Sequence, residues 1–306
     1  MKFSIFQSSK QGPRLYNEDR LAYSYSKESL LMVVADGMGG HHHGEMAAEL
    51  AVKMMTEAFQ KAALPTLKNP AEFLTQQIQL IHSAIAALKE SRRLAESPRT
   101  TIVVAIVQHH YLYVAHVGDS RLYHFRRKHP IYRTEDHSVV QALYRKGALK
   151  IANIAHHPDR HKIYNCLGGD TQPKIDLGLK RELKNGDRIL LCSDGLWSAL
   201  TDDELCKVLH SGPVSGAVSS LLNLADNIAG EMGDNMSAIA LELSHDASDP
   251  SWVSTGTMPL GETTTIIMPP THQENPEYAL SDVDLSDDDI ERRIAEIQLA
   301  LNKTIR

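Results

Sequence analysis

The sequence predicts an α+β fold with antiparallel strands over residues 1–245, followed by a tail of different character. Three observations carry this. Apolar runs pair off around short polar turns, as antiparallel hairpins do. Long stretches with apolar residues at helical spacing lie between them. From about Asp246 the texture becomes acidic, rich in Thr and Pro, and aperiodic. With 306 residues and 42% hydrophobic content, the chain can bury one large core or two smaller ones.

In chain order, "RLAYSY" and "SLLMVVA" read as two strands around the turn "SKES". A helical pattern follows from about Gly44 to Phe59. A second runs from about Pro70 to Arg93, with Leu74, Ile78, Ile81, Ile85 and Leu88 on one stripe. "RTTIVVAIV" and "YLYVAHV" form a second hairpin around "QHH", and "DRILLCS" and "MSAIALEL" are further strands. Cys192, inside the first of these, is expected in the core. "TDDEL" is a capping box, with Thr201 as cap and Glu204 three residues on; another helix is expected after Pro213. Residues 246–285 read as a flexible acidic linker. Residues 286–306 read as an amphipathic helix capped by Ser286, with Ile290, Ile294, Ile297 and Leu301 on its stripe. That helix either docks on its own domain or binds a partner.

Charge and composition exclude several classes. From Asp246 onward, 12 acidic and 4 basic residues give −8, so the first 245 residues, with 26 acidic and 28 basic, carry +2. No basic stripe with interleaved aromatics marks a nucleic-acid binder. No apolar run reaches the roughly 18 residues of a membrane span, and "MKFSIFQSSK" has no apolar signal core. Cys166, Cys192 and Cys206 have neither disulfide nor zinc spacing, so a reducing, cytoplasmic setting is expected.

The carboxylates fall at strand ends. Glu18 and Asp19 precede the first strand of the first hairpin and Asp36 closes its second. Residues 19 and 36 are symmetric about the turn, so pairing puts them at one end of the sheet. Asp119 and Asp194 also end strands, and Asp234 opens one. Asp36, Asp119, Asp194 and Asp234 each neighbour a glycine. Turn chemistry accounts for any one such dipeptide, but four beside apolar runs point to carboxylates gathered on one rim. Gathered carboxylates repel unless cations neutralise them, and hard oxygen ligands select Mg²⁺ or Mn²⁺. In "DGMGGHHHGEM" the metal reading rests on Asp36 rather than on His41, His42 and His43, because three adjacent residues do not converge on one ion and softer nitrogen ligands do not suit Mg²⁺. These histidines are expected at the rim, with contact of one of them to phosphate or bound water as the alternative.

The segments "GPRLYNEDR", "VVADGMGGHHHGEMA", "TTIVVAIV", "VAHVGDSRLYHF", "TEDHS", "CLGGD", "LLCSDGLW" and "GDNMSAIAL" resemble, in order and spacing, those of the metal-dependent type 2C (PPM) protein phosphatases, bacterial members above all. The resemblance spans roughly residues 5–243. It implies a four-layer α-β-β-α sandwich of two antiparallel sheets flanked by helices, with two metal ions, or three, at one end. It implies that Asp36 bridges two Mn²⁺ or Mg²⁺ ions and that the Gly37 carbonyl ligates one. Asp194 and Asp234 would complete the first ion's ligands, and Glu18 would serve the second. Asp19 would orient water, Asp119 would help hold a third ion, and Asn235 would support Asp234. Arg14 matches the family's phosphate-binding arginine. Met38 stands where animal members carry a histidine with a general-acid role, which leaves the acid unnamed. Residues 139–165 match the flap region, where His156, His157 and His161 are either solvated or in contact with metal or phosphate.

The function implied is hydrolysis of phosphoserine and phosphothreonine on phosphorylated proteins, by water or hydroxide bridging two ions, opposing a Ser/Thr kinase. A non-catalytic scaffold that recruits a partner through its tail is the alternative; a two-metal nuclease fits the near-neutral catalytic part poorly. In "GETTTIIMPP", Ile266 and Ile267 lie three residues after Thr263 and Thr264. Thr263, Thr264 and Thr265 are therefore candidate phosphoacceptors for a forkhead-associated domain, against the simpler reading of a Thr-rich linker.

Overall fold

The structure is a computed structural model that describes residues 1–38, 43–150, 153–154, 157–244 and 252–268. Strand β1 (Lys2–Lys10) leads into the hairpin β2 (Asp19–Tyr25) and β3 (Ser29–Met38). Helices α1 (His43–Ala62) and α2 (Pro70–Ser91) follow. Next come β4 (Arg99–Thr100), the hairpin β5 (Ile102–Gln108) and β6 (Tyr111–Val117), and the pair β7 (Arg121–Arg126) and β8 (His129–Arg133). Helix α3 (Val139–Arg145) follows. Short β9 (Asp176–Leu177) and β10 (Arg181–Glu182) precede β11 (Arg188–Cys192), α4 (Asp194–Trp197), α5 (Asp202–Leu209) and α6 (Val214–Ala229). Strand β12 (Met236–Ser244) completes the body, and the tail adds β13 (Val253–Ser254) and β14 (Thr264–Ile267).

Two sheets result, ordered β13-β1-β12-β11-β7-β8 and β10-β6-β5-β3-β2-β14, with antiparallel pairing throughout. They face each other through one core that includes Phe3, Met32, Val103, Leu191 and Ile239. Helices α1 and α2 cover the outer face of the second sheet, and α5 and α6 that of the first. The four layers explain the unbroken apolar run of β3. Leu30, Met32 and Val34 point between the sheets, while Leu31, Val33 and Ala35 point at the helices. A strand buried on both faces has no polar alternation to show.

The expected stripe of α2 is buried at all five positions. Asn69 caps this helix through the Glu72 amide, and Pro70 occupies its first turn. The capping box at Thr201 and Glu204 is present, and Cys192 is fully buried. Unforeseen in the sequence are β1, β7 and β8. β1 sits inside a sheet, paired with β12 over its whole length.

The tail departs from a flexible linker over residues 252–268. Thr255 is fully buried: its amide donates to the Met1 carbonyl at 3.0 Å and its hydroxyl to the Lys27 carbonyl at 2.6 Å. β13 then extends one sheet beside β1, and β14 the other beside β2. Backbone hydrogen bonding at open sheet edges supplies the order that hydrophobic periodicity did not advertise. Residues 269–285, and the helix expected over 286–306, lie outside the described residues.

Candidate metal centre

One end of the sandwich gathers the predicted carboxylates. Asp19 and Asp36 are directly paired in the β2–β3 register. Asp119 follows β6, Asp194 starts α4 one residue after β11, and Asp234 lies just before β12. A cleft of about 1060 Å³ opens here, lined by Glu18, Asp36, Asp119, Asp194 and Asp234, with Arg14 at its mouth.

Backbone packing sets the positions. The Gly37 amide donates to the Glu18 carbonyl at 3.2 Å. A Cβ on Gly37 would meet the Gly44 carbonyl oxygen at 2.3 Å, and one on Gly44 would meet the Met38 nitrogen at 2.6 Å. Strand end and helix start thus touch backbone to backbone, which only glycines allow. The Asp36 amide donates to Thr101 Oγ1 at 3.0 Å, and its carbonyl accepts from the Thr101 amide at 2.8 Å and the Thr100 hydroxyl at 2.9 Å. Asn235 ties the Gln11–Glu18 loop to β12. Its Oδ1 accepts from the Glu18 amide, and its Nδ2 donates to the carbonyls of Gln11 and Tyr16. Asn235 therefore serves this loop with its side chain, and Asp234 only through its own amide, which donates to Asp234 Oδ1 at 2.8 Å.

The electrostatics are adverse without a cation. Burial, then repulsion from Glu45 and Asp234, pushes Glu18 up to about 7. Burial pushes Asp19 up to about 7 against the opposing Ser193 and Ser237 hydrogen bonds. Burial and the Asp234 charge raise Asp194 to about 6. Asp36 and Asp119 are driven well above the usual carboxylate range by burial and neighbouring acids. Asp19 Oδ2 accepts from Ser193 Oγ at 2.7 Å, while its buried Oδ1 has no protein partner. Carboxylates so placed fit divalent cations. Among the described residues no three of these acids bring ligand atoms within 4.8 Å of one another. They line the cleft at wider spacing, so three of them can share one ion only by drawing closer around it.

Arg14 is exposed and paired with Asp234 Oδ2 at 2.7 Å. Of the histidines expected in a flap, His161 lines the cleft together with Arg160, whereas His157 Nδ1 accepts from the Asp159 amide within a local turn. His156, Gly39, Gly40, His41 and His42 lie outside the described residues, and His43 begins α1. Thr263, Thr264 and Thr265 are far from the rim: Thr264 and Thr265 pair with Tyr25 and Ser24, at the other end of β2 from Asp19. Sequence reasoning did not single out Thr100, Thr101 and Ser193. Their only signal was a threonine pair and a serine beside strand-end acids.

The sequence matches the family profile of protein phosphatase 2C over residues 7–220. The chain belongs to this family. It is similar to the serine/threonine phosphatase stp of Listeria monocytogenes serotype 4b (strain F2365), at 30% identity over 240 residues, 78% of this chain and 94% of that one. Among solved structures it resembles the S. agalactiae serine/threonine phosphatase, with a TM-score of 0.72 and 27% identity over 79% of this chain and all of that one. It also resembles the catalytic domain of serine threonine protein phosphatase PstP in complex with two manganese ions, with a TM-score of 0.67 and 28% identity, covering 80% of this chain and 99% of that one. The chain is thus a metal-dependent serine/threonine phosphatase with the four-layer sandwich. Among its described residues no helix is long and apolar enough to cross a membrane.

Proposed function

We propose that this phosphatase hydrolyses phosphoserine and phosphothreonine monoesters of proteins by direct attack of water at a two-ion centre, and so opposes a Ser/Thr kinase. The observation that carries the reading is the convergence of Glu18, Asp36, Asp119, Asp194 and Asp234 on one cleft, where burial and neighbouring acids destabilise the charged carboxylates of Glu18, Asp36, Asp119 and Asp194. Asp36 would bridge two Mn²⁺ or Mg²⁺ ions, with the Gly37 carbonyl as a further ligand. Asp194 and Asp234 would complete one ion's ligands, Glu18 would serve the other, and Asp119 would help hold a third. Bound divalent ions supply Lewis-acid charge and bring water's ionisation toward neutral pH.

The chain's own residues do the rest. Asp19, held by Ser193 beneath Asp36, orients water. Arg14, at the mouth, is exposed enough to leave Asp234, since such surface pairs contribute little. Its planar fork then receives two phosphoryl oxygens. The phosphorus–oxygen ester bond breaks as water adds, giving a free hydroxyl and inorganic phosphate, with no covalent enzyme intermediate. Met38 has no proton to give, so the leaving oxygen takes its proton from elsewhere in the cleft. All three cysteines are free, which suits a reducing, cytoplasmic setting.

In the tail, Thr265 Oγ1 bonds Ser24 Oγ at 2.7 Å and accepts from Gln60 Nε2, whereas Thr264 is exposed. A phosphoacceptor role, with reading by a forkhead-associated domain, falls to Thr263 or Thr264 while β14 stays paired. Mass spectrometry after incubation with a Ser/Thr kinase tests this, and absence of phosphate on all three threonines rejects it. For the enzyme, p-nitrophenyl phosphate and phosphopeptide hydrolysis is measured with Mn²⁺, with EDTA, and in Asp36→Asn and Asp194→Asn. Activity must require metal and collapse in both variants. Full activity in EDTA rejects the mechanism, and no activity with any metal favours the scaffold.

A further inference from the structure

Behind the cleft, His116, His137 and Asp176 bring ligand atoms within 4.8 Å of one another, a spacing that invites a metal. The hydrogen bonds on His137 point elsewhere. Its Nδ1 faces two donors, the Gly118 amide at 3.1 Å and Asn165 Nδ2 at 2.7 Å. The Asn165 amide cannot turn over without losing its other bonds: Oδ1 accepts from the Lys174 amide and Nδ2 donates to the Lys174 carbonyl. Nδ1 must therefore be the bare nitrogen and Nε2 the protonated one. Nε2–H donates to Asp176 Oδ2 at 3.1 Å. His137 is thus a committed donor and acceptor rather than a ligand, and His116 stacks on it at 4.7 Å between ring centroids.

His137 joins the two elements that matter at the cleft. Its amide donates to the Gly118 carbonyl at 3.0 Å, so Gly118 is clasped at both its carbonyl and its amide. Gly118 has φ +104°, and a Cβ there would sit 2.6 Å from Thr101 Cγ2, so the turn is wedged between Thr101 and His137. Asp119 follows directly. On its other side, the His137 carbonyl accepts from the Tyr164 amide at 2.9 Å, and Asn165 meets the ring, so the end of the flap hangs on the same residue. Thr101 passes the constraint on: its hydroxyl bonds Ser120 Oγ at 2.7 Å and accepts from the Asp36 amide.

We infer that His137 is a positioning residue, which sets the Gly118–Asp119 turn and ties it to the end of the flap, with Asp176 fixing the tautomer that allows this. The consequence for metal binding rests on the proposed role of Asp119. The role in the turn does not, because Trp197 Nε1 donates to the Asp119 carbonyl at 2.9 Å and reports on that turn directly.

The test uses a Trp252→Phe background, which leaves Trp197 as the only tryptophan. His137→Asn keeps an acceptor where Nδ1 lies, and His137→Gln keeps a donor where Nε2 lies. His137→Asn is expected to retain the parent's Trp197 emission and its calorimetric Mn²⁺ titration. His137→Gln is expected to move the emission and to weaken the weakest Mn²⁺ step roughly 10–100-fold, the usual effect of losing an outer support. A folded His137→Gln with unchanged emission overturns the inference, as does equal disturbance in both variants. If His137→Gln does not fold, Asp176→Ala takes its place: a smaller shift of the same kind is expected, and none overturns the inference. Asp119→Ala is titrated in parallel. A titration like the parent's means that the ligand role of Asp119 fails, and the emission of the His137 variants still decides the positioning role.

Discussion

Replacing Asp194 by asparagine should stabilise the metal-free protein while destroying its function. The carboxyl sits against Asp36 and Asp234 at the cleft floor, and burial followed by the Asp234 charge raises its pKa from an ordinary 3.8 to about 6. A folded pKa above the unfolded one favours folding below about pH 4, and that contribution is lost as the pH rises to about 6. Two pKa units correspond to about 3 kcal/mol, and partial exposure reduces this to about 2. The amide of Asp194→Asn keeps the shape without the charge. Urea melts in EDTA should therefore show Asp194→Asn more stable than the parent by about 2 kcal/mol near pH 7, and equal to it near pH 4. Adding Mn²⁺ should reverse the order near neutral pH, because the parent gains stability from ions bound to the folded state alone. A variant no more stable than the parent in EDTA at neutral pH, or stabilised equally at both pH values, would refute the reasoning.

Ser193→Ala removes the hydroxyl that donates to Asp19 and accepts from the Ser237 amide. It should cost about 1–3 kcal/mol in urea melts and weaken Mn²⁺ binding in calorimetry. Asp187 lies far from the cleft, buried between His124, Arg126 and the Lys184 amide, and these partners hold its carboxyl below the usual range. Its contribution is present at neutral pH and lost as the pH falls. Asp187→Ala should cost about 3–5 kcal/mol and leave Mn²⁺ affinity unchanged. Thr265→Val should cost about 1 kcal/mol and speed hydrogen exchange of the β14 amides, with phosphopeptide hydrolysis unaltered.

Much of the rim was legible because strand pairing is symmetric about a turn. Asp19 and Asp36 lie as far apart as the hairpin is long, and they meet. The stripe of α2 and the box at Thr201 declared themselves by spacing alone. β1 did not, because "FQSSK" alternates weakly and one end of the strand serves polar partners: Ser9 bonds Ser237, and Lys10 bonds Asp226. The tail strands escaped notice because they are held by edge pairing and by one buried threonine, Thr255, which no period encodes. Ser193, Thr101 and His137 were hidden for a related reason. Each acts through hydrogen bonds to residues distant in the chain, and a sequence shows residue types and spacing but not which distant backbone will stand beside them.

The most direct measurement is an anomalous difference map at the manganese edge from crystals of the full chain grown with Mn²⁺. Two strong peaks roughly 4 Å apart, bridged by the Asp36 carboxylate with Asp194, Asp234 and Glu18 around them, are the predicted result. Peaks placed instead at His116, His137 and Asp176, or none at the cleft, would contradict it.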